Sequence, residues 1–569
     1  MKMIKTTLIA LSLLMLLNPA RSAEQGAPKE AIKNWQDARF GMFIHWGPVS
    51  LTGHEIGWSR GQQTPVEEYD NLYKKFNPVK FNADEWVAVA KAAGMKYMVL
   101  TAKHHDGFCL WDTKQTDYNI MNTPFGRDVV KELAAACKKG GIDFGIYYST
   151  CDWHHPAFPN GSPGGRSQKP NPDLKFYDTY LTTQCEELIR NYGSIFTLWF
   201  DVPQSYTTEF GVPLVNKLRK LQPDIMINNR AYNASGSQYG VSHHNTVGDY
   251  DTPEQKIGGF QIDRPWETCM TICRQWAWKP NDNMKSLEQC LHTLIRTSGG
   301  DGNLLFNVGP MPSGEIEARQ VDRLKEMGAW LAKNGESIHG TRGGPWKPGR
   351  DIVSTRKGNK IYIHLLKKKD GAVALPALPV AIKSARLLNG TPLSTETKEG
   401  ILSIKIPDSA WAPIDTIIEL TLHGSAMDIS PLSSTRPSIS IAKATASATY
   451  GNEPQYDAAR AIDNKPGTRW ATPAGTRTCW IQLDFPKEST IGSIEIDEAY
   501  AHPKSRVLRF ELQKKEGGDW TTFHRGTGLG EHFQTDFPPV ATKAIRLNIL
   551  DTSEGPTISE IRFPVQKKP

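Results

Sequence analysis

Three features of the sequence predict a multidomain protein, with an irregular (β/α)8-type TIM barrel followed by two antiparallel β-sandwiches. From Phe40 to about residue 340, apolar runs of buried-strand length alternate with helical patterns. After Gly343 the pattern changes to short alternating strands separated by polar turns. A Ser/Pro-rich stretch at 430–440 then precedes a second all-β segment. With 569 residues the chain is too long for one core, and the expected division is 1–23 signal peptide, 24–343 barrel, 344–428 sandwich, 429–440 linker and 441–569 terminal sandwich.

The signal peptide is read from Lys2 and Lys5, the apolar run Leu8 to Leu17, and the small residues Ala20, Ser22 and Ala23. That run is too short to span a bilayer, so a secreted or periplasmic protein with no membrane span is expected. Removing Lys2, Lys5 and Arg21 lowers the formal charge from +7 to +4, with cations scattered rather than clustered, which excludes a nucleic-acid surface. Eight cysteines are too sparse for a disulfide scaffold and fit no zinc spacing. Cys269 and Cys273 read as buried thiols, and no catalytic metal or cofactor is expected. Oligomeric state is not legible.

The eight barrel strands are read at 40–46, 97–104, 144–149, 195–201, 224–230, 246–252, 266–271 and 303–309. Helical patterns occupy 83–94, 127–141, 285–300 and 317–335, several closed by glycine. Segments 231–245 and 253–265 lack helical periodicity, hence an irregular later half. The sandwich strands follow at 360–366, 384–390, 402–406 and 415–422.

Barrel active sites lie at the carboxyl ends of the strands. His45 and Trp46, His104 and His105, Tyr147 and Tyr148, Asp201 and Arg230 end the first five runs, and Glu254 follows the sixth. Such residues suit a sugar, whose hydroxyls need directional partners and whose apolar faces pack on aromatic rings. Asp201, directly after the apolar residues Leu198, Trp199 and Phe200, is the sharpest candidate, although a capping aspartate reads the same way. Glu254 in TPEQ equally suits the first turn of a helix. Together they fit the two-carboxylate chemistry of a glycosidase, in which one stays ionised and the other carries a proton. Their separation decides retention or inversion, and sequence does not measure it.

The motifs RFGMFIHWG (39–47), KYMVLTAKHHDGFCLW (96–111), FGIYYSTCDWHHP (144–156), LWFDVP (198–203), INNR (227–230) and GDYDTPEQ (248–255), taken in order, resemble the α-L-fucosidases of glycoside hydrolase family 29. The resemblance implies a retaining exo-α-L-fucosidase acting on fucosylated glycans, with Asp201 as nucleophile and Glu254 as acid/base. It places His45, Glu67, His104, His105, Tyr148, Trp199 and Arg230 at sugar-contacting positions. Phe43 and Trp276 fall near the C6 methyl of fucose. A non-catalytic glycan-binding protein and a hydrolase of a related L-sugar such as an L-galactoside are the alternatives.

AARAIDNKPGTRWAT (458–472), CWIQLDF (479–485), IGSIEI (491–496) and ISEIRF (558–563) resemble the discoidin-like jelly roll of coagulation factor type C domains and family 32 carbohydrate-binding modules, with Trp470 and Trp480 as core residues. That resemblance implies a structural calcium at Asp463, Thr468 and Glu560. The alternative is a turn held by Asp and Gly without an ion.

Overall fold

The computed structural model describes residues 26–236, 245–369, 371–434, 438–465, 467–499 and 505–565. The signal peptide read at 1–23 lies outside them. The chain divides into two compact units, the first running to residue 340 except 298–301, and the second holding 298–301 with 341–569.

In the first unit α1 (Lys29–Ala38) precedes β1 (Phe40–Ile44), followed by α2 (Val66–Asn71), α3 (Ala83–Ala92), β2 (Tyr97–Lys103), α4 (Val129–Gly140) and β3 (Asp143–Ser149). Then come α5 (Leu174–Asn191), β4 (Thr197–Asp201), α6 (Thr208–Leu221), β5 (Met226–Ile227), β6 (Glu267–Thr271), α7 (Leu287–Gly299), β7 (Asn303–Val308) and α8 (Ala318–Asn334). Several helices start where a side chain accepts otherwise unpaired backbone N–H groups, as Asn82 does for α3, Asp128 for α4 and Asp173 for α5.

Seven strands form one parallel sheet in the order β5-β4-β3-β2-β1-β7-β6. The sixth expected strand, at 246–252, is not a regular strand, yet its place is filled. Parallel bridges join Asn228 to Tyr250, Asp251 to Trp266 and Glu254 to Cys269, so an extended segment links the sheet's two edges. Two devices permit this. Asn228 uses its side-chain amide to pair with Phe200, donating to the carbonyl at 2.8 Å and accepting the amide at 3.0 Å, which continues the ladder where β5 stops. Gly248 (φ 64°) brings backbone so near that a Cβ would lie 2.3 Å from the Asn228 carbonyl oxygen. The strands enclose a core that includes Trp35, Tyr97, Val99, Met226, Tyr250 and Leu305.

In the second unit, β8 (Arg342–Gly343), β9 (Ile352–Lys357), β10 (Lys360–Leu365), β12 (Ile382–Leu387) and β15 (Thr416–Leu422) form a five-stranded sheet. It shares a core with β11 (Val373–Pro376) and β14 (Ile401–Ile404), while the exposed β13 (Thr395–Lys398) pairs with β14. A second core around Trp470, Ile494, Phe510 and Ile561 belongs to the terminal sheet. That sheet runs β17-β22-β18-β21-β19-β20, with β16 on β18, from β16 (Lys443–Ala446), β17 (Trp470–Ala471), β18 (Cys479–Glu498), β19 (Val507–Glu516), β20 (Asp519–Gly526), β21 (Phe533–Thr552) and β22 (Thr557–Arg562). Trp480 is not a core residue. It is half-buried on the outer face, where the Arg546 guanidinium stacks on it at 4.3 Å and on Trp520 at 4.1 Å.

Candidate active site

A cavity of about 230 Å³ opens where the strands end, lined by Phe43, His45, His104, His105, Trp199, Asp201, Arg230, Glu254 and Trp276 among the residues expected from sequence. Two expected residues lie elsewhere. Tyr148 points away from the cavity, its buried hydroxyl donating to Gln184 of α5 at 2.8 Å, and Tyr147 takes the expected place. The reason is strand alternation: Tyr147 pairs with Trp199 and Ser149 with Asp201, so these residues share the inner face. Glu67 sits exposed on α2, outside the cavity lining. A different glutamate from the preceding loop, Glu55, serves the site, accepting the backbone N–H groups of Trp276 and Ala277 at 2.9 Å each and so fixing the loop that carries Trp276. Trp58, Tyr147, Val202, Pro203, Gln204 and Cys269 line the cavity without having been singled out as contacts.

Arg230 organises the polar side. Its Nε donates to Thr252 Oγ1 and its Nη2 to the Thr252 carbonyl, both at 2.9 Å, while the guanidinium stacks 4.8 Å over Trp199. The remaining nitrogen, Nη1, donates to Asp201 Oδ1 at 2.8 Å and to Glu254 Oε2 at 2.9 Å. The INNR and GDYDTPEQ motifs, on neighbouring segments bridged at Asn228 and Tyr250, thus join both carboxylates to one cation.

Asp201 also accepts from the Tyr147 hydroxyl and the Val202 backbone N–H, each at 2.9 Å. Burial pushes its carboxyl up, but Arg230, His105 and Tyr147 outweigh burial and hold it below the ordinary range. Arg230 is the charge that holds Asp201 ionised at neutral pH, because burial also pushes His105 down to about 4 and leaves that ring neutral near pH 7. The residues following both carboxylates adopt left-handed backbone, Val202 at φ 51° and Gln255 at φ 52°. Such strain costs of order 1–3 kcal/mol and recurs where geometry serves function.

Burial lowers His45 to about 3 and His104 well below its ordinary value. All three rings therefore act at neutral pH as uncharged hydrogen-bonding groups. His45 is oriented by Asn307 at 2.6 Å and His105 by Ser149 at 2.7 Å. Phe43 packs between Trp199 and Trp276, with centroids 5.3 and 6.0 Å away, as an apolar wall beside His45, whose ring lies 4.5 Å from Phe43. Beneath the wall lies Glu267, fully buried, which accepts from Trp199 Nε1 at 3.0 Å and from the Tyr97 hydroxyl. Burial pushes its carboxyl up to about 7.

The sequence profile described as alpha-L-fucosidase matches residues 19–336. The chain belongs to the alpha-L-fucosidase family. It is therefore a glycoside-hydrolysing enzyme whose substrates are fucosylated glycans. Human plasma alpha-L-fucosidase is 31% identical over 422 residues, covering 66% of this chain and 87% of its own length. Alpha-L-fucosidase isoenzyme 1 from Paenibacillus thiaminolyticus superposes with a TM-score of 0.63 at 36% identity, covering 69% of this chain and 99% of that one. The Thermotoga maritima alpha-fucosidase, solved in complex with a mechanism based inhibitor, superposes with a TM-score of 0.58 at 29% identity, covering 68% and 96%. Residues 443–562 match the F5/8 type C domain.

All eight cysteines are buried free thiols, including Cys269 and Cys273. Among the described residues, no group of three or more His, Cys, Asp and Glu side chains is arranged to hold a metal. Also among them, no helix is long and apolar enough to cross a membrane. In the terminal domain, Asp463 and Glu560 repel one another, and burial with that repulsion pushes Glu560 up to about 8. Asp463 Oδ2 is buried without a hydrogen bond, while Oδ1 accepts from the Thr468 hydroxyl at 2.7 Å. Asp463 Oδ2 lies 3.5 Å from Arg460 Nη1, an ion pair with which a cation would compete, and the two neighbouring carboxylates are the donor type that a hard cation such as calcium takes.

Proposed function

We propose that this enzyme is a retaining exo-α-L-fucosidase working by double displacement, with Asp201 as nucleophile and Glu254 as general acid/base. The supporting observation is the shared Arg230 nitrogen. Bonds of 2.8 and 2.9 Å to one atom keep the two carboxylate oxygens under about 6 Å apart, nearer the ~5–5.5 Å of retaining enzymes than the ~6.5–9.5 Å of inverting ones. Asp201, held ionised, attacks the anomeric carbon. Glu254, with a 42% exposed side chain, sits where the leaving oxygen departs and water later enters. His45, His104 and His105 hydrogen-bond the ring hydroxyls. The C6 methyl lies against Phe43, Trp199 and Trp276, a burial worth about 0.8 kcal/mol.

The experiment is to follow an aryl α-L-fucoside by proton NMR. The first-formed product should be α-L-fucose, and Asp201→Ala should lose at least a thousandfold in kcat. First formation of β-L-fucose, or an active Asp201→Ala variant, overturns the assignment. An aryl α-L-galactoside should turn over more slowly, since its C6 hydroxyl meets the apolar wall.

The same proposal includes a calcium held by Asp463 and Glu560 with the turn around Thr468, stabilising the terminal domain rather than taking part in the reaction. It also includes export through the segment at 1–23, which N-terminal sequencing of the mature protein checks.

A further inference from the structure

Only Trp58 and Glu254 among the cavity-lining residues are exposed, so together they mark the rim. Trp58 leaves 44% of its surface to solvent, yet it is held from several sides. Its ring meets His105 at 5.6 Å and the buried Trp153 at 5.5 Å, both nearly perpendicular. The preceding Gly57 donates its N–H to the Tyr69 hydroxyl at 2.8 Å, and Tyr69 donates onward to Asp106 at 2.6 Å. Gly57 is also left-handed (φ 65°), and a Cβ there would stand 2.8 Å from His104 Nδ1, so the turn is packed directly onto the site. On the other side, Arg60 forms a two-pronged pair with Asp70 at 2.6 Å for each bond and donates to the Gly161 carbonyl at 2.7 Å.

We propose that Trp58 is the stacking platform of a leaving-group subsite, which takes the pyranose ring to which fucose is attached. This rests on Glu254 being the acid. The glycosidic oxygen must lie beside Glu254 to receive its proton, so the leaving sugar emerges at the rim that Glu254 and Trp58 define. Pyranose rings present apolar C–H faces that pack on indole, and a pre-positioned indole loses little freedom on binding. The deep cavity would then fix fucose, and Trp58 would select among the sugars that carry it.

The test compares Trp58→Ala and Trp58→Phe with the unmodified enzyme on two substrate types. One is α-L-fucosyl fluoride, whose leaving group is too small to reach Trp58. The other is a set of α-L-fucosylated disaccharides differing in linkage. For the preferred disaccharide, the ratio of its kcat/KM to that of the fluoride should fall about tenfold in Trp58→Ala, mainly through KM, and recover largely in Trp58→Phe. An unchanged ratio for every disaccharide, including one in which both substrates lose equally, overturns the subsite. An unmodified enzyme that cleaves the fluoride but no disaccharide overturns it as well. Failure on the fluoride itself refutes the hydrolytic assignment of the site instead.

Discussion

Replacing Arg230 by methionine removes the cation that ties the two carboxylates while keeping much of the side chain's length. In the folded enzyme, burial drives the Asp201 carboxyl upward, and Arg230 leads the groups, with His105 and Tyr147, that together more than offset it. A hydrogen bond to a charged group contributes roughly 1.5–3 kcal/mol, and one pKa unit corresponds to about 1.36 kcal/mol. The acid limb of kcat/KM should therefore rise by about one to two units, with activity persisting at high pH. Stability should follow the same sign. A depressed carboxylate stabilises the fold above its unfolded value near 4 and loses that contribution as pH falls. In the variant, the uncompensated Asp201 charge makes the deficit largest near neutrality and smaller below about pH 5. The assay is kcat/KM on an aryl α-L-fucoside from pH 3 to 9, with urea unfolding at pH 5 and 7.5. An acid limb that stays in place, or moves down, refutes the reasoning.

Three further outcomes follow from the same geometry. Glu254→Ala should slow an α-L-fucoside with a poor leaving group far more than one with a good leaving group, and azide should restore turnover as α-L-fucosyl azide forms; uniform loss without rescue would point to a structural role. Glu267→Leu should cost about 2–4 kcal/mol in urea unfolding, because the Trp199 indole N–H and Tyr97 hydroxyl lose a buried acceptor, whereas Glu267→Gln should cost about 1 kcal/mol; equal costs would contradict this. Calcium should raise Tm and release protons near pH 7, where Glu560 is still largely protonated, and Asp463→Asn should abolish both effects.

Much of the barrel was legible because buried parallel strands read as continuous apolar runs, and a polar residue ending such a run marks the site. Asp201, Arg230 and the histidines were found that way. Sequence leaves Tyr147 and Tyr148 undistinguished at the end of β3, because adjacent residues face opposite sides and the phase of β3 is set only by its pairing with β4. The resemblance points to Glu67, but both Glu55 and Glu67 lie between β1 and β2, where no periodicity says which glutamate packs against the loop carrying Trp276. The sixth expected strand, at 246–252, is visible as an extended run, but its irregularity depends on Gly248 and on the Asn228 side chain pairing with β4, which are tertiary facts. Glu267 did leave a signal: a carboxylate inside an otherwise buried strand needs partners, here an indole and a phenol. The resemblance of the terminal segment makes Trp480 a core residue, whereas strand alternation turns it to the outer face beside Arg546.

The central claim is that Asp201 becomes covalently attached to fucose during turnover. Incubating the Glu254→Gln variant with a 2-deoxy-2-fluoro-α-L-fucosyl fluoride, then digesting it for mass spectrometry, should place a single fluorofucosyl adduct on Asp201. An adduct on another carboxylate, or no adduct together with release of the inverted sugar, would contradict the account.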